Sequence, residues 1–535
     1  MLLKKMFKYV LILLVTAFLA ISLLAGVMII FRDVSIFGMR FVSNKNNNAI
    51  LLNTPNITKI NIETNNYDVL IMPNSEEDLA VNTRFRVVIE NNFGGFSTDG
   101  LTETLIEKVN NNTEETHLST NKFSNETLSY FVNNGEFTFK LKEPTGLVWY
   151  NNSRIAIYLP ENLTGVEYNI KTNKGEIVFA KNNIHPNNKV STSNINIHVN
   201  SLQGSMNLDN VKMEAGSNLT VHNYIGRVEI NNNSLGNVII DSNQGNFMFK
   251  NIGYDGFNGG NLTVTGNNPY VSANKVYGNV TFNTTTGFIK VNEILGDSIM
   301  ETDNGIIRIG KLKGGVNISN NSGETTINQI GEQGTNKSVI ITGKTGYINL
   351  GAKNNDYSGV YYLTSVTTES GRVKIENMNA KTVTDIPSIR TTSGSVSVDY
   401  KKNDIVKDLN VSTKTGAITL NNVYGNITAK TEYSSKITVN FYKVSEVANI
   451  TTDNGEIEIG LPAASNSNIF NLNLKNKQNK LNIALGNYVK TAFEAESKDE
   501  LGFYTLTQVF PTDKTTTNTI NVKTISGKII VKEII

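Results

Sequence analysis

The chain of 535 residues has no cysteine, which excludes disulfides, thiol catalysis and cysteine-ligated metal. Alanine and proline are scarce, and no 3.6-residue apolar stripe is sustained beyond the first fifty residues, so helices are not the material of this fold. Charge of either sign is also in short supply. The 49 Lys and Arg against 47 Asp and Glu leave a net charge of +2, with the basic residues scattered among acids. No basic field for a nucleic-acid backbone can form, and no nucleic-acid partner is expected. What fills the chain instead is asparagine, threonine and β-branched residues, a strand-forming composition.

The second feature is a repeat. Residues 277–330 divide into half-units of nine: YGNVTFNTT, TGFIKVNEI, LGDSIMETD, NGIIRIGKL, KGGVNISNN, SGETTINQI. Gly278, Gly287, Gly296, Gly305, Gly314 and Gly323 open or nearly open each half. The full period is eighteen, because alternate halves close on Ile294, Leu312 and Ile330 or on Thr285, Asp303 and Asn321. Alternation along a short strand predicts inward columns of Phe282, Met300 and Ile318 and of Val291, Ile309 and Ile327. It predicts outward files of Asn283, Glu301 and Ser319 and of Lys290, Arg308 and Thr326, while Ser298 and Thr325 interrupt the inward columns. The glycines meet either a positive φ or a close backbone approach. The phrase Ser/Thr-x-x-Gly-x-β-x-β returns at residues 172–179, 242–249, 368–375, 391–398, 413–420 and 524–531. A short strand-and-turn period is the mark of a coil whose turns stack. The fold class expected is all-β: a parallel β-solenoid of about 18–25 residues per coil. Tandem β-sandwiches are the alternative, since their strands also recur every 8–12 residues.

The N-terminus predicts a location. An apolar run from residue 9 to 31 follows Lys4, Lys5 and Lys8. It is long enough at about 1.5 Å per residue to cross a hydrocarbon core of about 30 Å. The positive-inside rule then places residues 1–8 in the cytoplasm and the bulk outside. A cleaved signal peptide is the competing reading, with Ala20-Ile21-Ser22 as its cleavage candidate. The expected organisation is a cytoplasmic stub (1–8), a transmembrane signal anchor (9–31), a tether (32–52), an N-terminal β cap (53–160), the β-solenoid (161–460), and distal coils with a C-terminal cap (461–535). Residues 92–125 are polar and poorly patterned, and are expected to loop out.

The opening I-x-I-x-x-x-x-Y-D-V-x-I-x-P (residues 60–73), a strand ending in Leu159-Pro160, and the many Ser/Thr-x-x-Gly coils resemble the bacterial putative adhesin family of membrane-anchored β-solenoid domains of unknown function. The resemblance spans residues 53–535. It implies a parallel β-solenoid, of either hand, facing the outside of the cell membrane, and it brings no catalytic residues with it.

Several strings imitate catalytic motifs. Thr342-Gly343-Lys344-Thr345 is similar to a phosphate-binding loop, but Ser338 stands where that loop needs glycine. Ser119 and Lys122 with the Lys-Thr-Gly strings at 344 and 414 imitate a serine/lysine acyl-transfer set, yet no Ser-Asp-Asn element joins them. Calcium-binding nonapeptides need aspartate in successive turns, whereas Asn279, Phe288, Asp297 and Ile306 occupy those places. Of the histidines His117, His185, His198 and His222, the last two fall about one coil apart on outward positions, and read as surface residues. Asp297, Glu301 and Arg308 are the acidic and basic set that a polysaccharide lyase or hydrolase on this scaffold would use. No catalytic, cofactor-binding or metal residue is assigned, and no cofactor is expected. The reading is a non-enzymatic, membrane-anchored envelope protein whose solenoid contacts cell-wall glycan or surface proteins, with tyrosines 277, 347, 361 and 424 as candidate contacts. A carbohydrate-active enzyme and an envelope-stress or signalling accessory are the alternatives.

Overall fold

In a computed structural model of the chain, the structure describes residues 2–30, 35–36, 39–52, 57–73, 85–98, 105–106, 130–133, 135–143, 146–160, 163–180, 190–199, 205–208, 211–214, 216–222, 225–230, 236–255, 259–332, 337–352, 359–379, 386–402, 406–462, 470–478, 481–484, 497–510 and 516–534. Two compact units divide the chain, Met1–Met248 and Phe249–Ile535. Among the described residues the fold is all-β, with long parallel sheets and one helix.

The second unit holds the regular repeat. Strands Val280–Thr284, Ser298–Thr302, Val316–Asn320 and Val339–Gly343 pair in parallel in one sheet. Strands Phe288–Ile294, Ile306–Leu312 and Glu324–Ile330 pair in the other. Val280 lies beside Ser298 and Ser298 beside Val316, an eighteen-residue step, after which Val316 meets Val339 and the coil lengthens by insertion at a corner. The coil is therefore a β-solenoid, and the sandwich alternative fails here because sequential strands do not pair antiparallel. Phe282, Met300 and Ile318 stack with exposures of 0% each. Val291, Ile309 and Ile327 form the facing column, also buried. Ser298 and Thr325 are buried as well, so the two interruptions keep their inward direction despite their polarity.

The corners explain the Ser/Thr-x-x-Gly phrase. Each threonine of the phrase points inward and is buried, including Thr284, Thr368, Thr413, Thr452 and Thr524. At four corners its hydroxyl accepts the glycine N–H three residues on, at 3.2 Å for Thr284–Gly287, 3.0 Å for Thr368–Gly371, 2.7 Å for Thr413–Gly416 and 3.1 Å for Thr452–Gly455, whereas Thr391 donates to Gly394 O at 2.6 Å. A buried hydroxyl is thus spent on a backbone donor that the sharp corner would leave unpaired. None of these corner glycines has a positive φ. They are glycine because the next coil is too near. A Cβ on Gly323 would fall closer than 3.0 Å to the Gly305 carbonyl, and the same holds for Gly346 on Gly323, Gly371 on Gly346 and Gly394 on Gly371. Of the two reasons the sequence offered, close approach is the operative one.

Between the corners, one carbonyl serves two donors of the next coil. Asp303 N and Asn304 N both bond to Thr285 O, and Lys344 N and Thr345 N both bond to Asn321 O. This pairing ties coils of different length into one register even where the corners carry insertions.

At its far end the second unit departs from sequence order. The final strands Thr519–Thr524 and Ile529–Ile534 pair directly with Val447–Thr452 and Ile457–Pro462. The intervening segment supplies the coil beyond them, Phe470–Asn476 and Leu481–Ala484. Strand Tyr504–Phe510 then covers Phe470–Asn476 antiparallel. Buried Asn476 donates to Gly527 O at 2.5 Å, sealing the last carbonyl of the glycine file.

The first unit has the same non-sequential closure. Lys59–Glu63 and Asp68–Pro73 form a coil lying between Glu136–Lys142 with Arg154–Leu159 on one side and Val166–Thr172 with Ile177–Phe179 on the other. Residues expected to form a separate cap are thus coil strands in their own right. The corner at Asn65 and Asn66 has no earlier corner to supply a carbonyl. Buried Glu143 takes that place: its carboxyl accepts from Asn65 N at 2.7 Å, Asn66 N at 2.8 Å, Asn66 Nδ2 at 2.9 Å and Thr64 Oγ1 at 2.5 Å. The next coil shows the ordinary arrangement, with Asn173 N and Lys174 N on Asn65 O. Aromatic rings thicken this end of the core, Phe85 meeting Phe137 edge-on at 4.9 Å and Tyr168 meeting Phe179 at 5.3 Å. Burial pushes the Tyr168 hydroxyl pKa up.

Two expectations on this side are corrected. Of the stretch read as a tether (32–52), Ser35–Ile36 pairs antiparallel with Met39–Arg40 and strand Met39–Leu52 runs antiparallel along Phe85–Ser97, while the other residues lie outside the described ones. The beginning of the expected loop at 92–125 belongs to that same strand Phe85–Ser97; of the rest, residues 99–104 and 107–125 lie outside the described residues. Polar composition misled there, because a strand on the outer edge of a sheet can be polar on one face and still pair through its backbone. The helix spans Leu2–Ile30. Among the described residues, no helix is long and apolar enough to cross a membrane.

Replacing Gly323 by alanine is expected to destabilise the second unit by about 2–3 kcal/mol through overpacking, whereas the exposed neighbour substitution Ser322→Ala should stay within about 0.5 kcal/mol. Urea unfolding of the two variants measures the difference. Glu143→Ala should cost the first unit about 2–3 kcal/mol by stranding the Asn65 and Asn66 donors, seen as faster amide exchange at those two residues than in Glu143→Gln, which retains one acceptor oxygen.

Candidate functional site

An open-sided groove of ≈ 580 Å³ runs across four coils of the second unit. Each coil contributes an outward strand residue and a corner residue. The strand file is Thr265, Asn283, Glu301 and Ser319, in direct parallel register. The corner file is Asn267, Thr285, Asp303 and Asn321. Successive residues of a file are therefore about 4.8 Å apart, the spacing of paired strands. The walls are amides, hydroxyls and two carboxyls. Asn321 Nδ2 donates to Asp303 Oδ1 at 2.9 Å, and Thr285 Oγ1 to Asn267 Oδ1 at 3.4 Å. Glu301 is exposed and has no hydrogen bond or ion pair among the described residues. Such a groove offers little apolar area, so a ligand held there must be polar and must match donors and acceptors row by row.

The opposite sheet of the same coils carries charge that is already paired. Lys275 and Lys313 flank Glu293 at 3.2 and 3.7 Å, while Lys313 and Lys311 both reach Glu332, the first at 3.5 Å. Arg308 Nη2 donates to Glu324 Oε2 at 3.1 Å and, with Thr326, holds that carboxyl below its ordinary value. Further along, Lys436 at 2.7 Å and Lys532 close on Glu458 from neighbouring coils and lower its pKa. The rings of Tyr270 and Phe288 stack at 4.6 Å and 3°, and Arg308 lies 5.7 Å from the Phe288 centroid. The faces of these rings are taken up by one another and by Arg308, which leaves Phe288 no free face for a sugar.

The sequence candidates separate accordingly. Glu301 lies on the outer face of Ser298–Thr302, but Arg308 lies on Ile306–Leu312 in the other sheet, so Asp297, Glu301 and Arg308 are not brought together. Asp297 instead uses Oδ1 to accept Gly315 N at 2.7 Å, one rung of a corner ladder with Asn261 and Asn279. The Thr342–Thr345 string is a corner whose Lys344 and Thr345 N–H groups are consumed by Asn321 O, so no phosphate cradle is open. Lys414 is likewise a corner, and Ser119, Lys122, His117 and His185 lie outside the described residues. His198 and His222 are register neighbours, as the spacing predicted, and His222 Nδ1 lies 3.4 Å from Asp241. Tyr277, Tyr361 and Tyr424 each follow a strand of the same sheet, while Tyr347 stands on that sheet's outer face opposite Glu324. They do not form a contiguous tyrosine file, because Leu295, Lys313 and Gly331 intervene between Tyr277 and Tyr361. Lysines cap two of them, Lys275 at 4.5 Å from Tyr277 and Lys443 at 5.6 Å from Tyr424. The groove itself was half visible in the sequence: the outward file of Asn283, Glu301 and Ser319 was readable, but which corner residues stood beside it was not.

Residues 105–293 match the family described as Toastrack DUF4097. The likeness to an adhesin-like β-solenoid family of unknown function is thereby borne out. No curated protein matches the chain. A crystal structure of a putative cell adhesion protein from Clostridium sporogenes is similar at 9% identity, covering 92% of this chain and 100% of that one. Its TM-score of 0.15 is too low to bear on the argument. The Toastrack match ends within Phe288–Ile294, so part of the groove, Asn267 to Thr285, lies inside it and Glu301 to Asn321 lies beyond.

The Glu458 carboxyl has a lowered pKa, so its two lysine contacts stabilise the fold above about pH 4.5 and this contribution is lost as pH falls through the lower, folded-state pKa. The urea midpoint of the wild-type chain should therefore drop more steeply below pH 4.5 than that of Glu458→Gln.

Proposed function

We propose that this is a non-enzymatic, membrane-anchored surface protein whose β-solenoid presents a polar groove for adhesion to a hydroxyl-rich polymer such as cell-wall glycan. The observation that carries the reading is the in-register groove with unpaired Glu301 at its centre. Rows of amide, hydroxyl and carboxyl groups repeated at the strand spacing suit a repeating ligand that is engaged at several rungs at once. Each rung contributes weakly, and affinity rises through multivalency.

The anchor we assign is the apolar run 9–31 of the sequence, which falls largely within helix Leu2–Ile30 and extends beyond the residues whose side chains are described. The helix's side chains from Phe7 to Leu23 are exposed around the whole circumference, including Phe7 at 72% and Leu23 at 72%. An apolar helix that is unburied on every face is suited to lipid. Thr16 and Ser22 return their hydroxyls to Ile12 O at 2.9 Å and Phe18 O at 2.8 Å, so neither would carry an unmet donor into hydrocarbon. The lysines at its start favour a cytoplasmic N-terminus, leaving the coils outside the cell.

A carbohydrate-active enzyme would use the same groove, with Glu301 and Asp303 as its two carboxyls. One experiment separates the readings. Full-length protein in lipid nanodiscs is incubated with purified peptidoglycan. Adhesion expects saturable retention that Glu301→Gln with Asn283→Ala reduces by roughly tenfold, the effect of about 1.4 kcal/mol, with the polymer recovered intact. Release of new reducing ends that Glu301→Gln abolishes would instead establish the enzyme.

A further inference from the structure

We infer that Leu147 and Trp149 form a second membrane contact, lying in the headgroup–acyl boundary of the bilayer; the inference rests on the proposed insertion of the N-terminal helix. Strand Gly146–Tyr150 pairs antiparallel with Phe93–Ser97, placing Leu147 opposite Phe96 and Trp149 opposite Gly94. Its alternation is inverted relative to a surface strand. Tyr150 turns inward, meeting Tyr67 at 5.7 Å and Phe93 at 5.4 Å, while Leu147 and Trp149 face outward with exposures of 70% and 58%. A Cβ on Gly94 would lie 3.2 Å from the Trp149 ring. The indole thus lies down across the glycine backbone with its remaining face open, and the missing side chain at residue 94 is what lets it do so.

The path of the chain sets where this patch is. The helix ends at Ile30, and Ser35–Ile36 folds back on Met39–Arg40. Arg40 stands beside Ser97, and Ser97 beside Gly146. Five residues from Ile30 to Ser35 reach at most about 18 Å, and three strand spacings from Ser35 to Gly146 add about 14 Å. These upper bounds put Leu147 within about 35 Å of the helix end, a reach that lets the patch and the helix meet the same face of a bilayer. An exposed Trp beside an exposed Leu is what a bilayer interface accepts, the indole N–H remaining with the headgroups. In the sequence, Arg32, Arg40 and Lys45 follow the apolar run, and anionic headgroups attract such cations. A sugar platform would share the open indole face but would gain nothing from Leu147, which offers no hydrogen bond, so lipid is the favoured occupant.

Trp149 is the sole tryptophan of the chain, which makes it its own reporter. The full-length protein is reconstituted into vesicles of phosphatidylethanolamine and phosphatidylglycerol carrying brominated acyl chains, with flotation reporting helix insertion and fluorescence reporting Trp149. The expected result is blue-shifted emission, largely quenched by bromines near the headgroup and less by deep ones. Leu147→Ser should lessen that quenching while flotation is unchanged. A chain that floats but whose Trp149 emits as in water and is quenched by aqueous iodide overturns this inference and leaves the anchor standing. So does a chain whose emission responds only to added soluble glycan, or only to protein density in the bilayer, as a second copy would cause. A chain that does not float overturns the anchor, and this contact with it.

Discussion

The structure depends on the distance between one corner and the next. Parallel strands stack at about 4.8 Å, and a corner built of ordinary residues is too bulky to repeat at that spacing. The fold solves this with two atoms per coil. A buried threonine hydroxyl takes the glycine N–H, and the glycine, having no Cβ, lets its successor lie against its carbonyl. Once the corners stack, the strands between them have no freedom of register, and the side-chain columns follow. Coils can then grow from eighteen residues by insertion between strand and corner, as between Val316 and Val339, without disturbing the core.

The same constraint accounts for the ends. Every corner expects a carbonyl beneath it, and an outermost corner has none. Glu143 supplies the missing acceptor in the first unit, and Asn476 caps the last glycine carbonyl in the second. In both units the outermost coil is contributed out of sequence order and covered by an antiparallel strand. An antiparallel strand of different register is a natural stop, because it cannot template another parallel coil and so removes the open edge on which a second chain would grow.

These rules also mark how much could be read beforehand. The eighteen-residue columns were legible because side-chain direction follows from alternation alone; Phe282, Met300, Val291 and Ile309 needed only counting. The glycine phrase was legible as a corner, but not the inward direction of its threonine, since a hydroxyl in that position reads as surface until its bond to the glycine N–H is seen. Strand Met39–Leu52 was illegible, because its asparagines have the composition of a linker and its order comes from pairing with a distant segment. Glu143 was illegible for the same reason: its partners at residues 64–66 are far away in sequence, and no local pattern announces them.

Regularity also explains why chemistry is hard to find on such a fold. A catalytic centre needs unlike groups converging from different directions, whereas a stacked coil delivers like positions in parallel files, one residue per rung. Groups on the two faces of a coil cannot meet, as Glu301 and Arg308 demonstrate. Groups on one face meet only neighbours on adjacent coils, in register or two residues along, and on the charged sheet these neighbours neutralise one another, Glu293 between Lys275 and Lys313 and Glu458 between Lys436 and Lys532. Selection on such a surface acts on a row more readily than on a point. A row is suited to what is itself repetitive or extended, and the scaffold's poverty in convergent sites follows from the spacing that makes it stable.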